Sequence, residues 1–515
     1  MKYPIGIQDF RELRRDGYVY VDKTRHIHRI LTVGKYYFLS RPRRFGKSLL
    51  LSTIKELYSG RKELFDGLWI EDQWDWGQTN PVIWIKFSSQ GVKTMGLVPA
   101  LHKMLGEAAQ SLGIELQETH YDQKFKELIA KSAANRKTVL LIDEYDKPII
   151  DYLDDVEQAE ANREVLKNFY SVLKDSDPYL ELVFITGVSA FSKVSIFSDL
   201  NNLHNISLTD LAEDLLGITQ KELESNFEEP MRQAAEKNNL TFEELLGKVK
   251  RWYNGYSWTG ENKLYNPFSL LSFLSGKRFQ NFWFETGTPT FLIKEMKQQA
   301  YYDIGETSAT ANDLNNFDLR RLNPITVLFQ TGYLTITHYE PEDLLYTLDY
   351  PNVEVKHSLQ EILLNEYLDY PRRGALPRVV DLRNALRQKD IDRVIAIINA
   401  AFAEIPGELW KGKTEHFYHA VTHLLFSLLG TYIQSEVRTA KGRCDGLVQT
   451  DDYIYVLEFK LDKSAEEALA QIKEKGYLAP YADSPKEKIA LGISFSSEER
   501  KVVDWKVEVL LPRSS

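Results

Sequence analysis

Two groups of residues in this chain have the types and spacing to do chemistry. The first begins with Ser40-Arg41-Pro42-Arg43-Arg44-Phe45-Gly46-Lys47-Ser48, placed between the apolar run Tyr36-Tyr37-Phe38-Leu39 and a helical pattern. A glycine-bearing loop between strand and helix turns backbone N–H groups toward phosphate oxygens. Lys47 would then reach the β/γ-phosphates and Ser48 would hold Mg²⁺, with Gly46 giving the turn its freedom. The generic pattern starts with a glycine where this chain has Arg41, so the context and the ending match while the first position does not. Arg43 and Arg44 are candidate phosphate contacts, as is Arg41, with solvated charge as the alternative. About a hundred residues on, Val139-Leu140-Leu141-Ile142 delivers Asp143-Glu144. Asp143 is expected to bind the metal and Glu144 to orient or deprotonate an attacking water. Thr186, closing the run Leu182–Ile185, is a candidate sensor of the γ-phosphate; the alternative is an ordinary strand-end threonine.

The second group is Asp445, Glu458 and Lys460. The polar stretch Gln449-Thr450-Asp451-Asp452 reads as a turn between two apolar runs. If that hairpin is centred between Asp451 and Asp452, Asp445 lies directly opposite Glu458. Opposed side chains on one face have Cβ atoms roughly 4.5–5.5 Å apart. Lys460, two positions beyond Glu458, shares its face. Like charges so placed destabilise a sheet, and a divalent cation between them turns the liability into a binding site. Oxygen donors suit Mg²⁺ or Mn²⁺, which would polarise a phosphodiester and acidify a bound water. Lys460 would position that water or meet charge on phosphorus. An exposed strand edge with an internal Glu458–Lys460 ion pair is the plainer alternative.

The elements that must position these residues change along the chain. Residues 1–210 alternate buried strands (Tyr36–Leu39, Val82–Phe87, Val139–Ile142, Leu182–Thr186) with amphipathic helices, as an α/β sheet does. Ligands of such sheets gather at the carboxyl ends of the strands, where Lys47, Asp143 and Thr186 all fall. Residues 211–407 read as largely helical, with capping boxes at Thr219–Glu222 and Thr241–Glu244. Their aromatic clusters, such as Trp252-Tyr253-Asn254-Gly255-Tyr256, are expected to form core. Residues 408–515 return to α/β: strands near 434–438, 443–448, 453–460 and 488–495, with helices at 415–430 and 464–477.

Composition narrows the class. With 515 residues the chain holds about three domains. Its 43% hydrophobic and 27% charged residues are those of an ordinary globular protein. Its net charge of −10 argues against a polyanion binder along the whole chain, leaving room for a local basic groove. A single cysteine, Cys444, excludes an internal disulfide and a cysteine-rich zinc site. There is no signal-peptide pattern and no apolar run of membrane-spanning length, so a cytoplasmic protein away from the membrane is expected.

The chain resembles a family of bacterial proteins that join an AAA-ATPase-like domain to a PD-(D/E)xK nuclease-superfamily domain. The segments that carry the resemblance are Tyr20-Val21-Asp22-Lys23-Thr24, Arg41 to Ser48, Asp143-Glu144-Tyr145-Asp146-Lys147-Pro148 and Phe197 to Leu203. Trp252 to Tyr256, Tyr265-Asn266-Pro267 and Thr331-Gly332-Tyr333-Leu334 extend it almost end to end. In that family the first phosphate-loop glycine is often absent. The resemblance implies a P-loop NTPase domain, a helical middle and a restriction-endonuclease-like α/β domain, with the nuclease motif on Asp445, Glu458 and Lys460. It further implies roles for Glu436 in the preceding core segment and Gln471 on the following helix.

The expected function is an ATP-binding and ATP-hydrolysing switch coupled to a Mg²⁺- or Mn²⁺-dependent nuclease acting on DNA or RNA. Glu144 argues against an ATP site without hydrolysis. The competing reading is a nucleotide-dependent signalling or interaction protein whose nuclease-like domain binds without cutting. A homo-oligomer stays open.

Overall fold

The computed structural model describes residues 1–87, 91–190, 196–197, 200–283, 290–298, 301–302, 304, 306–315, 323–368, 376–403, 415–429, 434–435, 438–439 and 442–510. They form two compact units, one of residues 1–287 with 305–354 and one of residues 288–304 with 355–515. The stretch 211–407 is thus divided between the units.

The first unit is built on five strands: β1 (Tyr36–Ser40), β2 (Val82–Lys86), β3 (Thr138–Asp143), β4 (Leu180–Gly187) and β5 (His204–Asn205). Their order is β2-β3-β4-β1-β5, and every pairing is parallel. β3 is buried at every position and β4 at all but one, which is why both read as unbroken apolar runs. One face packs Leu39, Leu141 and Phe184 against Leu50, Leu51, Ile54 and Leu57 of the helix Lys47–Tyr58. Each fully buried aliphatic side chain there contributes roughly 1.5–3 kcal/mol. On the other face Phe38 meets Tyr145 and Phe197, and Phe197 meets Tyr170 of the helix Val156–Asp175. The two-residue β5 is too short to show in the sequence pattern.

Beyond the sheet, the helices Gln220–Asn238 and Phe242–Tyr253 both start with complete capping boxes, at Thr219–Glu222 and Thr241–Glu244. Each such N-cap is worth about 1 kcal/mol. Their apolar faces share a core with the helix Pro267–Gly276, with Val19 and Val21 packed against it. Tyr253 lies inside that core, while Tyr256 and Trp258 pack edge-on against Phe45 of the phosphate loop. The aromatic cluster therefore builds core. A small antiparallel sheet, β6 (Thr307–Thr310), β7 (Thr335–Glu340) and β8 (Leu345–Asp349) in the order β6-β8-β7, interrupts the helical text. Gly332 lies against the loop: a Cβ there would sit 2.8 Å from Pro42.

The second unit carries a mixed sheet of β9 (Gln434–Ser435), β12 (Gly446–Gln449), β13 (Tyr453–Leu461), β14 (Glu487–Ser496) and β15 (Lys501–Leu510). The short pair β10 (Arg438–Thr439) and β11 (Gly442–Arg443) stands apart from it. The sheet order is β15-β14-β13-β12-β9, with β13 and β14 parallel and the other pairs antiparallel. Ser464 caps the helix Ala465–Lys475, and Gly476 ends it in the left-handed conformation. That helix presses onto β14 at Gly492, where a Cβ would come within 2.4 Å of Ala465 O. Only glycine permits this approach.

Candidate nucleotide and metal sites

In the first unit, β4 lies between β1 and β3, so Ser40, Thr186-Gly187 and Asp143 stand at neighbouring strand ends. The loop after β1 turns through two left-handed residues, Arg44 (φ 69°) and Gly46 (φ 94°), before the helix starts at Lys47. Lys47 is buried, and its Nζ donates to Arg41 O at 2.8 Å and Pro42 O at 2.9 Å. Burial pulls its pKa down, against the pull of Glu144, Asp143 and Asp146. A cavity of about 410 Å³ opens beside it, lined by Arg43, Arg44, Gly46, Lys47, Ser48 and Glu144. Pro267 and Phe268, at the start of the helix Pro267–Gly276, form another part of its wall.

Asp143 is buried, and its Oδ1 accepts from Thr186 Oγ1 at 2.8 Å. The Thr186 hydroxyl is therefore spent on fixing the acid. Glu144 follows in the left-handed conformation (φ 55°), which costs a non-glycine residue about 1–3 kcal/mol. Burial and the neighbouring Asp143 raise its pKa. The turn is anchored by Asp146, whose Oδ2 accepts from Val188 N at 2.9 Å, Ser189 N at 2.6 Å and Ser189 Oγ at 2.7 Å.

Arg41, at the position of the missing glycine, has turned away from phosphate work. Its guanidinium donates to Ser40 O, Ser207 O and Ala212 O at 2.7–2.9 Å and lies 3.9 Å over the Trp258 ring. It ties the loop to the chain that follows the sheet. A second, apolar cavity of about 110 Å³ adjoins the first and shares Pro4, Gly46, Leu49, Pro267 and Leu271 with it. Val21, Ile27, Phe45 and Leu216 line the rest of its wall, among others. Sequence reasoning gave Asp146 and Lys147 no role of their own and did not foresee these cavity walls. The local cluster of three acids and a lysine in Asp143–Lys147 was a usable signal, whereas nothing near Pro267 announced that it would line both cavities with Gly46.

In the second unit, β12 and β13 pair with Gly446 opposite Leu457 and Gln449 opposite Ile454. The ladder ends at Gly446 and Leu457; extended by one residue, its register sets Asp445 opposite Glu458. Asp445 Oδ2 accepts from Phe459 N at 2.8 Å, beyond the last ladder pair. Glu458 is 2% exposed. Its Oε1 accepts from Lys460 Nζ at 3.1 Å and from Gln471 Nε2, and Lys460 Nζ also donates to Gln471 Oε1 at 2.7 Å. Gln471 arrives on the helix Ala465–Lys475. Burial first, then Asp445, push the Glu458 carboxyl up to about 7. Its Oε2 is buried and has no hydrogen-bond partner among the described residues. An unsatisfied buried carboxylate oxygen beside a second carboxylate is a donor set that fits Mg²⁺ or Mn²⁺, which bind through one or two carboxylates and keep several waters. Among the described residues no group of three or more His, Cys, Asp or Glu gathers to hold a metal. Glu436 lies outside the described residues. The Cys444 thiol, buried next to this pair, is pushed up to about 12 and is inert at neutral pH.

A P-loop NTPase domain and a restriction-endonuclease-like α/β domain in one chain are the class that fold and sites define. A family model described as a predicted AAA-ATPase matches residues 4–197, and one described as the PD-(D/E)XK nuclease superfamily matches residues 413–505. A protein of Azotobacter chroococcum mcd 1, described as "Uncharacterized protein in vnfD 5'region", is 38% identical over 523 residues, covering 99% of each chain. No solved structure matches. The chain belongs to the family that fuses these two domains. No helix among the described residues is long and apolar enough to cross a membrane.

Proposed function

We propose that the first unit binds and hydrolyses ATP, and that its nucleotide state governs a Mg²⁺- or Mn²⁺-dependent nuclease in the second. In the first unit Lys47 would exchange its two carbonyl partners for β/γ-phosphate oxygens, with Arg43 and Arg44 at the cavity mouth. Ser48 and Asp143 would hold Mg²⁺, and Thr186 would keep Asp143 aimed. Glu144, with its raised pKa, suits a general base for the attacking water. The adjoining apolar cavity suits the purine base.

In the second unit Asp445 and Glu458 would hold the divalent ion, which supplies Lewis acidity and an acidified water when bound. Lys460 would then release Glu458 and stabilise charge on the phosphodiester, with Gln471 restraining the lysine. The observation that carries the reading is the buried, unpartnered Glu458 Oε2 beside Asp445. The test is incubation of the full chain with plasmid, linear duplex, single-stranded DNA and RNA, with and without ATP, in Mg²⁺ or Mn²⁺. Metal-dependent cleavage that changes with ATP is the expected result. Binding without cleavage under every condition would favour an interaction protein whose nuclease-like domain has lost its chemistry.

A further inference from the structure

Lys147 lines the phosphate-loop cavity together with Lys47, Ser48 and Glu144, although the chemistry assigned above gives it nothing to do. Its backbone position is fixed. Asp146, its neighbour, is held at three points by Val188 and Ser189, and Lys147 N donates to Glu144 O at 3.0 Å. Its side chain is less constrained: Nζ pairs with Asp151 Oδ2 at 3.0 Å, with the two side chains 33% and 26% exposed. A pair so exposed is weak and separates readily. Asp151 lines the same cavity, so the cation rests on its wall. Lys147 also bears on Glu144, whose ionised form it favours.

We propose that Lys147 is a second catalytic cation, which leaves Asp151 in the nucleotide-bound state and meets the charge that develops on the γ-phosphoryl oxygens. This rests on the reading of the cavity as an ATPase site. In the step, the water oxygen bonds to Pγ as the bond from Pγ to the bridging oxygen breaks. The electron pair stays on ADP, and the water proton passes to Glu144. Lys147 keeps its proton throughout and acts by charge and hydrogen bonding. Related sites often take this charge from an arginine finger, in cis or in trans; here it would come in cis, three residues after Glu144.

The test uses the full chain with Lys147→Gln, Lys147→Arg and Asp151→Asn. Steady-state hydrolysis is measured beside calorimetric affinities for ATP and for ADP with aluminium fluoride, which mimics the transferring phosphoryl group. Lys147→Gln should lower kcat on the order of 10²–10³-fold, the scale of one preorganised transition-state donor. It should weaken the aluminium fluoride complex by a similar factor and leave ATP affinity and KM nearly unchanged. Lys147→Arg should recover part of both losses, and Asp151→Asn, which frees the lysine, should tighten the aluminium fluoride complex. A wild-type kcat in Lys147→Gln, or equal losses for ATP and the mimic, would overturn the proposal. So would Asp151→Asn weakening the mimic, since the ion pair would then be structural. A wild-type kcat in Lys147→Gln sinks the inference alone; a wild type that binds ATP without hydrolysing it sinks the hydrolytic half of the proposed function with it, and one that does not bind ATP sinks the whole nucleotide reading.

Discussion

The two sites handle buried charge in opposite ways. Around Lys47, one buried cation is met by two carbonyl oxygens and by the fields of Asp143, Glu144 and Asp146. Asp143 and Asp146 are themselves held by hydroxyl and amide donors. That site is compensated before any ligand arrives. Around Glu458, one carboxylate oxygen pairs with Lys460, the other is unsatisfied among the described residues, and burial with the neighbouring Asp445 drives the carboxyl up to about 7. The lesson is physical: Lys47 already has partners that a phosphate could replace, whereas Glu458 keeps one buried oxygen unsatisfied, which is where the proposed cation would act.

The largest expected effects break that contrast at the second site. Asp445→Asn and Glu458→Gln should each lower metal-dependent cleavage by at least the order of 10²–10³-fold that one preorganised group supplies. ATP affinity should be unaffected. Mn²⁺ should raise the melting temperature of wild type more than that of either variant, because a ligand stabilises only the state that binds it. Cleavage by Asp445→Asn at the wild-type rate would refute the site.

Next in size is Lys47→Ala. Charge-assisted hydrogen bonds contribute about 1.5–3 kcal/mol each, so ATP binding should weaken by about two orders of magnitude in a calorimetric titration. Cleavage without ATP should persist. Unchanged ATP affinity would remove the phosphate loop from the account.

How much of this was legible depended on range. The hairpin register could be read because a local turn fixes it: Thr450 and Tyr453 close that turn through N–H to O at 2.8 Å, and side-chain alternation does the rest. Both helix caps of the middle region were legible for the same reason, since the four residues of a capping box carry the whole signal. The inward turn of Arg41 was not, because Ser207, Ala212 and Trp258, which hold it, lie far along the chain. Thr186 was placed correctly at a strand end, but its partner depended on β3 being its neighbour in the sheet. β15 stayed hidden because its pattern, Val502-Val503-Asp504-Trp505-Lys506, mixes buried and exposed apolar residues on an edge strand.

A smaller effect sharpens the contrast through pH. Binding of Mn²⁺ needs ionised Glu458, so affinity should rise with pH, by up to tenfold per unit, until about 7 and then level off. The metal-free fold should behave in the opposite sense. Glu458 is uncharged in both folded and unfolded chains below its ordinary range near 4.5, and its burial then costs nothing in charge. As pH rises from there to about 7, the unfolded chain ionises first, and the folded state loses stability through that window. Glu458→Gln should flatten this slope in EDTA.

The smallest effect isolates the repulsion itself. The charge of Asp445 raises the Glu458 pKa, so the two carboxylates oppose each other where both are ionised. Asp445→Asn should therefore stabilise the metal-free protein above pH 7 by a fraction of a kcal/mol up to about 1 kcal/mol, the scale of a cross-strand pair. At pH 5, where Glu458 holds its proton, the gain should vanish. An asparagine carbonyl at this position can still accept from Phe459 N, so the hydrogen bond at 2.8 Å need not be lost along with the charge. Urea unfolding in EDTA at pH 5 and pH 8 separates the contributions. Equal destabilisation at both pH values would mean that the bond to Phe459 N outweighs the repulsion, and the hairpin would then need no cation to relieve it.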